Sequence, residues 1–252
     1  MQKGSGRMKI ALASAPVIDR EIEKNKAAML RDIERCSGKA DLVLFGESVL
    51  QGFNSLCWQY ETDRQMAVSQ QDDAIRELRD AAKRCQIAVS FGYIEKAGES
   101  LYSSQMVAGP SGEILYHYRR VSVGWKEYQR TDAHYREGAH FGTFGFKGKK
   151  VSVALCGDLW TEGRPEEMRS LHADLVLWPV WCDFPADEWN QTVKYEYARQ
   201  AALCGERVLF VNPYCATPGL TDGAAGGAAY FRGGQIVKEA PAGRSGVLIV
   251  EV

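Results

Sequence analysis

The 252-residue sequence contains no long apolar run, no excess of either charge and only four histidines. No stretch approaches the ~18 consecutive apolar residues of a membrane-spanning helix, so we expect no membrane association. The 31 Lys and Arg residues nearly balance the 32 Asp and Glu residues, which leaves no basic surplus to neutralise the phosphates of a nucleic acid. The sequence also has neither a Cys/His cluster at metal-ligand spacing nor a GxGxxG motif after a strand. These absences predict a protein without a metal or an organic cofactor.

Cysteine is present, but its pattern is not typical of disulfides or of metal sites. The seven cysteines are an odd number without CxxC spacing, and several fall within apolar segments, where a free cysteine packs as a small hydrophobic residue. Reduced thiols are typical of the cytoplasm, and we expect the protein there.

The N-terminus is polar as far as Arg7 and apolar beyond it. Residues 10–15, after several basic residues, imitate a short secretory signal, but the same residues are needed as the first strand of the fold. We therefore predict a disordered N-terminal extension over residues 1–8. A single domain is predicted over residues 9–252, a length that α/β proteins commonly fold as one unit.

The rest of the sequence alternates short β-branched runs with segments of helical periodicity. A Gly-Pro-Ser-Gly turn at residues 109–112 joins two neighbouring strands, so parallel and antiparallel pairing should both occur. Residues 51–60 and 124–138 have no clear period of either kind and are predicted to be loops. Strands are predicted at residues 9–17, 41–48, 87–93, 101–108, 113–123, 151–155, 174–180, 207–214, 228–231 and 246–252, and helices at residues 20–36, 72–85, 165–171 and 188–204. This pattern predicts an α/β fold with mixed sheets.

Two of the apolar runs end on a reactive side chain. One run leads through Gly46 to Glu47, and another leads to Cys156 followed by Gly157. Because ligands of open α/β sheets bind at the carboxyl ends of the strands, both side chains are expected at such an edge. Each residue alone also has a simpler interpretation, since a lone cysteine at a strand end is more often buried packing than a nucleophile.

Three motifs follow one another along the chain: Phe45-Gly46-Glu47, then the strand end Tyr118-Arg119-Arg120, then Leu155-Cys156-Gly157-Asp158. Their order and approximate spacing resemble the Glu, Lys and Cys motifs of the nitrilase superfamily of carbon–nitrogen hydrolases. The resemblance extends over nearly the whole chain. It implies a four-layer α-β-β-α sandwich with mixed sheets and a small-molecule amide or nitrile as substrate. It also implies a homo-oligomer, most simply a two-fold dimer, which is the commonest soluble assembly.

The resemblance, together with thiol chemistry, assigns roles to three residues. Cys156 is the predicted nucleophile that forms a covalent thioester. Glu47 is the predicted general base, because a free thiol with a pKa near 8.5 supplies little thiolate at neutral pH. The backbone N–H of Gly157, directly after the nucleophile, is the predicted donor to the oxyanion. The predicted activity is hydrolysis of a non-peptide C–N bond in a small amide, carbamoyl-amide or nitrile.

The position of the family's lysine, directly after Tyr118-Arg119, holds Arg120. Its guanidinium is forked and effectively never loses its proton. Lys126 offers a compact ammonium on the loop after the same strand, where a nearby glycine and tryptophan would let the loop bend inward. We favour Lys126 as the cation that stabilises the oxyanion, with Arg120 as the alternative and Glu127 helping to position it. For either cation, an ordinary solvated or surface ion-paired role is the simpler interpretation.

Two other protein classes share some of these features. A class I glutamine amidotransferase also has a cysteine at a strand end, but it needs a C-terminal His-x-Glu pair that this sequence lacks, so we reject it. A catalytically degenerate member of the same fold, acting in binding or assembly, stays open because of the altered lysine position. Selective modification of Cys156 by iodoacetamide would distinguish it from an enzyme.

Overall fold

The computed structural model describes residues 7–252 and contains two mixed six-stranded sheets that pack face to face between outer helices. Its strands are β1 (Lys9–Ser14), β2 (Pro16–Val17), β3 (Leu42–Phe45), β4 (Ala88–Ala97), β5 (Ser100–Ala108), β6 (Ile114–Arg119), β7 (Thr143–Phe146), β8 (Lys149–Val153), β9 (Leu175–Pro179), β10 (Arg207–Val211), β11 (Tyr214–Cys215), β12 (Ala228–Arg232), β13 (Gln235–Ala240) and β14 (Gly246–Glu251). Its α-helices are α1 (Ile22–Cys36), α2 (Tyr60–Met66), α3 (Asp73–Cys85), α4 (Arg164–Ser170), α5 (Ala186–Glu188) and α6 (Lys194–Cys204). The predicted four-layer α-β-β-α sandwich is confirmed.

The first sheet has the strand order β14-β1-β3-β4-β5-β6. Its strands β1, β3 and β4 are parallel, and α1 and α3 belong to the long crossovers that parallel neighbours require. Strand β3 is buried on both faces: Leu42 and Leu44 pack toward the second sheet, whereas Val43 and Phe45 pack against the helices. A strand covered on both sides forms a continuous apolar run, which is why the sequence predicts this one.

The second sheet repeats this plan in the order β13-β12-β10-β9-β8-β7. Its strands β8, β9 and β10 are parallel, and α4 and α6 belong to the connections between them. Each sheet thus has parallel strands in its centre and antiparallel strands toward its edges. The arrangement agrees with the repeated strand–helix–strand pattern in the sequence.

The helices α1 and α3 bury one face each against the first sheet. Met29 and Ile33 of α1, with Ile75 and Leu78 of α3, belong to the same apolar cluster as the outer face of β3. Full burial of each such side chain contributes about 1.5–3 kcal/mol. These contacts hold the helix layer against the first sheet.

The start of the chain differs from the prediction. Residues 1–6, most of the predicted extension, lie outside the described part of the chain. Met8 is buried, and its backbone exchanges hydrogen bonds of 3.2 and 2.9 Å with Val252. Because β1 pairs with the C-terminal strand β14, the pairing continues outward to Met8, and ordered structure begins before residue 9.

Several predicted segments have other bounds. Residues 60–66 form α2, which begins at the last residue of the loop predicted over residues 51–60. The one buried residue of this helix is Asp63, so the helix has no apolar stripe from which periodicity could predict it. Residues 143–153 form a β7–β8 hairpin, of which the sequence predicted only the second half. The strand predicted over residues 113–123 ends at Arg119, which leaves Arg120 just beyond the sheet.

Two predicted strands are each split in the structure. Residues 9–17 divide into β1 and β2, and residues 207–214 divide into β10 and β11. Strands β2 and β11 pair with each other in a separate two-stranded sheet, where Tyr214 faces Pro16. The helix predicted over residues 188–204 contains a π-helical stretch, Trp189–Val193, ahead of α6. A run of apolar residues predicts the strands but not the point at which the chain changes partner.

Candidate active site

Glu47 lies just beyond β3 and is completely buried. Its backbone N–H donates to the carbonyl oxygen of Val180 at 3.1 Å, and Val180 directly follows β9. The residue therefore joins the end of the first sheet to the end of the second. This is the edge at which the sequence predicted the carboxylate.

The carboxylate of Glu47 has two side-chain partners. The hydroxyl of Ser103 on β5 donates to Oε1 at 2.7 Å. Nη1 of Arg120 lies 3.0 Å from Oε1 and 3.3 Å from Oε2. Hydrogen bonds to a charged group are among the stronger ones in proteins, so these contacts hold the carboxylate in one orientation.

Arg120 is 3% exposed and is fixed at several points. Its Nε donates to Oγ of Ser122 at 2.8 Å, and its backbone N–H donates to the carbonyl oxygen of Ser103 at the same distance. Burial opposes its charge, but the negative charge of Glu47, with that of Asp158, outweighs burial and raises the pKa of Arg120. The guanidinium is therefore a permanent positive charge inside the protein.

Cys156 follows β8 by a short turn and begins a 3₁₀ segment, Cys156–Trp160. Its φ of 43° is in the left-handed region, which a non-glycine residue adopts only when its surroundings impose it. The partly buried thiol lies 3.3 Å from the carbonyl oxygen of Trp181, to which it donates. Burial, with the negative charge of Glu47, raises the pKa of Cys156 to about 12, against the opposing effect of the positive charge of Arg120.

Asp158 ties the turn around Cys156 to the segment that carries Arg120. Its Oδ2 accepts from the backbone N–H of Leu155 at 2.8 Å, and its Oδ1 accepts from the backbone N–H of Ser122 at 2.8 Å. Tyr118 donates its hydroxyl to Oδ2 at 2.5 Å. This buried carboxylate therefore fixes two segments of the site relative to each other.

Gly157 lies against Arg120. A Cβ built on Gly157 would be 2.6 Å from Nη2 of Arg120. The guanidinium therefore extends from the carboxylate of Glu47 to the residue directly after Cys156. The structure thus brings together four of the predicted site residues: Glu47, Arg120, Cys156 and Gly157.

Lys126 and Glu127 lie elsewhere. Nζ of Lys126 donates to the carbonyl oxygen of Tyr135 at 2.6 Å and lies 2.7 Å from Oε1 of Glu137. The side chain of Glu127 is 54% exposed and pairs with Arg130 at 3.2 Å. The favoured cation is therefore paired with a different carboxylate, and its predicted helper faces solvent.

A surface cleft, here called the loop cleft, opens beside the buried residues. Its lining includes Phe53, Trp58, Gly124, Lys126, Glu127 and Arg130. Phe53 stacks on Trp181 at 6.1 Å between ring centroids, and Trp181 is the residue whose carbonyl accepts from Cys156. On the other side, a Cβ built on Gly124 would be 3.3 Å from Nη2 of Arg120. The loop cleft therefore approaches the site from two sides.

Three contributors were not found from the sequence: Ser103, Ser122 and the carbonyl of Trp181. Serines in a strand or after one are too common to indicate a role. The β5 register places Ser103 next to Glu47, and only the tertiary pairing reveals that register. A backbone carbonyl carries no sequence signal at all.

Within residues 7–252, no helix is long and apolar enough to cross a membrane. The same residues contain no group of three or more His, Cys, Asp or Glu side chains placed to hold a metal ion. All seven cysteines lie in this described part of the chain as free thiols.

A sandwich of this kind, with a buried carboxylate and a thiol at adjoining strand ends, is the architecture expected for an enzyme of the nitrilase type. The chain belongs to the carbon–nitrogen hydrolase family: the family model described as Carbon-nitrogen hydrolase matches residues 9–252.

Curated relatives include an (R)-stereoselective amidase from Pseudomonas sp, 26% identical over 68% of this chain and 59% of the amidase. An aliphatic nitrilase from Rhodococcus rhodochrous is 28% identical over 78% of this chain and 56% of the nitrilase. The chain thus spans less than two thirds of the length of these curated relatives.

Solved structures with the same fold include a double mutant of the amidase from Nesterenkonia sp. AN1 in complex with acrylamide. It has a TM-score of 0.76 at 19% identity, over 100% of this chain and 92% of that chain. A CN-hydrolase superfamily protein from Xanthomonas campestris, with an arsenic adduct in its active site, has a TM-score of 0.77 at 20% identity, over 98% and 91% of the two chains. At these identities the likeness establishes the fold.

Proposed function

We propose that the protein hydrolyses a non-peptide C–N bond of a small amide, carbamoyl-amide or nitrile through a thioester on Cys156. The observation that carries this proposal is the buried ion pair of Glu47 and Arg120, whose guanidinium reaches Gly157 beside the cysteine. Buried charges are costly to maintain, and a chemical use beside a cysteine thiol accounts for them. The family match and the amidase and nitrilase relatives support the same reaction class.

In the first half of the reaction, Cys156 attacks the carbonyl carbon of the amide while its thiol proton passes to Glu47. The C=O electron pair moves to the oxygen, and the resulting oxyanion accepts from the N–H of Gly157 and faces the guanidinium of Arg120. When this intermediate collapses, the C–N bond breaks, and Glu47 gives the proton to the departing amine or ammonia. The enzyme is left as a thioester.

In the second half, water takes the place of the amine. Glu47 accepts a proton from water as its oxygen attacks the thioester carbon. The C–S bond breaks, the proton returns to the sulfur of Cys156, and a carboxylic acid leaves. A nitrile would first give a thioimidate, which takes up water and releases ammonia to reach the same thioester.

For the cation we propose Arg120 and no longer Lys126. Arg120 contacts the general base at 3.0 Å and lies over the predicted oxyanion donor, whereas Lys126 is paired with Glu137. Lys126 and Glu127 then act at the mouth of the site, in the lining of the loop cleft, where they contact the part of the substrate that does not react.

A binding or assembly role in a catalytically degenerate member is the second candidate. The observation that favours it is the arginine at position 120, where the family has its lysine. We also propose a cytoplasmic homodimer, with residues 9–252 as its single hydrolase domain. Sedimentation that gives a 28.0 kDa monomer over a wide concentration range would rule out the dimer.

The reaction is tested by release of ammonia from a panel of small amides and nitriles. The wild type should turn over at least one compound, and Cys156→Ala should turn over none. Cys85→Ala, which removes another partly buried thiol, is the control and should match the wild type. Turnover that survives in Cys156→Ala overturns the mechanism. If the wild type hydrolyses nothing and iodoacetamide does not prefer Cys156, the binding role replaces it.

A further inference from the structure

The second terminal nitrogen of Arg120, Nη2, lies between two glycines. A Cβ added to Gly157 would be 2.6 Å from Nη2, and one added to Gly124 would be 3.3 Å from it. The first separation is shorter than real side chains show, and the second requires a small shift. Both glycines therefore leave open the space that this nitrogen occupies.

Neither glycine is required by its own backbone conformation. The φ angles of Gly157 and Gly124 are outside the left-handed region that favours glycine. Cys156, with a φ of 43°, is the residue of this turn that adopts such a conformation, and it is not a glycine. The absence of a side chain at position 157 is therefore explained by space and not by backbone geometry.

The guanidinium has little freedom to move away from an added side chain. Its Nη1 is held by Glu47 at 3.0 Å and its Nε by Ser122 at 2.8 Å, in a side chain that is 3% exposed. Because the guanidinium is planar and rigid, contacts that hold Nε and Nη1 also fix the position of Nη2. A Cβ at position 157 would have to break the contact with Glu47 or push back the turn that carries Cys156.

We propose that Gly157 is a positioning residue that acts through Arg120, and that the two residues function as one unit. The glycine admits the wide fork of an arginine, so that Nη1 holds Glu47 while Nη2 is directed at the space beside the Gly157 N–H. Among residues 7–252, the hydrogen bonds of this guanidinium come from Nε and Nη1. The N–H groups of Nη2 remain for the substrate oxygen, a role that rests on the proposed function.

The test is a double-mutant cycle with Gly157→Ala and Arg120→Lys. The first readout is the rate at which iodoacetamide alkylates Cys156, measured by peptide mass spectrometry, together with Tm; the second is kcat and KM on the amide panel. Gly157→Ala alone should slow alkylation and lower kcat by about tenfold or more, a coupling typical of residues in contact. In the Arg120→Lys background the same change should have an effect of about twofold or less, because a lysine does not extend to the position of Nη2.

Gly145→Ala is the matched control, since no atom lies within 4 Å of a Cβ built there and its φ is also outside the left-handed region. It should leave every readout unchanged. Equal losses from Gly157→Ala in both backgrounds would overturn the proposal, as would a Gly157→Ala protein that matches the wild type. If Gly157→Ala does not fold, the proposal requires that the double variant does fold. A double variant that also fails to fold would overturn the proposal.

The two readouts separate this inference from the reaction on which the role of Nη2 rests. Coupling in alkylation and Tm, combined with a wild type that hydrolyses no amide and no nitrile of the panel, would retain the Arg120–Gly157 unit and refute the hydrolase. Hydrolysis without coupling would retain the hydrolase and refute the unit.

Discussion

Arg120 and Lys126 are cations on one short segment, yet they have different partners. Arg120 is 3% exposed and faces a carboxylate, Glu47, with no exposed surface. The side chain of Lys126 is 9% exposed; it lies in the lining of the loop cleft and is paired with Glu137, whose side chain is 22% exposed. The residue type favoured Lys126 as the cation that stabilises the oxyanion, whereas the position of Arg120 directly after β6 places the arginine next to Glu47. The comparison shows that the strand end, and not the identity of the cation, determines which charge reaches the general base.

The largest effect is expected from removing the inner cation. Arg120→Ala leaves the buried carboxylate of Glu47 without its ion pair, which typically costs about 3–5 kcal/mol of folding stability. Loss of a group at the oxyanion should also lower kcat by about 10²–10³-fold. Urea unfolding and amide hydrolysis measure the two effects. Arg120→Lys should recover most of the stability, because its ammonium can still pair with Glu47, but only part of kcat, because it does not extend to the position of Nη2. An Arg120→Ala protein as stable and active as the wild type would remove the distinction between the two cations.

A smaller effect is expected from removing the outer cation. Lys126→Ala breaks a hydrogen bond to the carbonyl of Tyr135 and the pair with Glu137, and charged hydrogen bonds of this kind contribute about 1.5–3 kcal/mol. Because Lys126 does not contact Glu47, kcat should change by less than about tenfold, well below the loss of an oxyanion donor. A kcat loss larger than that of Arg120→Ala would return the role to Lys126.

The pH dependence of Cys156 alkylation distinguishes Arg120 from Lys126, because, of these two cations, we expect only the charge of Arg120 to change the pKa of the thiol. Because burial and the carboxylate of Glu47 raise its pKa to about 12, the thiolate fraction of the resting enzyme should keep rising with pH. The rate should therefore show no plateau near the pKa of about 8.5 of an ordinary thiol. Glu47→Gln should move the rise to lower pH and Arg120→Ala to higher pH, because the arginine lowers this pKa. Lys126→Ala should leave the profile unchanged, and a plateau near pH 8.5 in the wild type would contradict the assignment.

The smallest effect is expected at Glu127. Its side chain is 54% exposed, and exposed ion pairs contribute little. Glu127→Gln should change the urea midpoint and kcat within experimental error, with any effect limited to KM for substrates that reach the loop cleft. A large loss of kcat would show that this glutamate enters the site and would weaken the contrast between the inner and outer regions.

The sequence was sufficient for the parts of the site that a local pattern determines. Glu47 and Cys156 each follow an apolar run, and the physical cause of those runs is the burial of β3 and of the last three residues of β8. The choice between Arg120 and Lys126 was not local, since it depends on where β6 ends. That end is set by pairing with β5, which also brings Ser103 to Glu47. Helix α2 was not predicted because it lacks an apolar stripe. The division of the first predicted strand at Ala15 was not predicted because a change of strand partner does not alter the hydrophobic pattern of the sequence.

The most direct test of the account is the mass of the enzyme during turnover. When the wild type is mixed with a small amide that it hydrolyses and quenched in acid within the first turnover, the intact mass should rise by the acyl group. Peptide mapping should place that group on Cys156, and Cys156→Ala should show no adduct and no turnover. An acyl group on another residue, or continued hydrolysis by Cys156→Ala, would contradict the central claim that this thiol is the nucleophile.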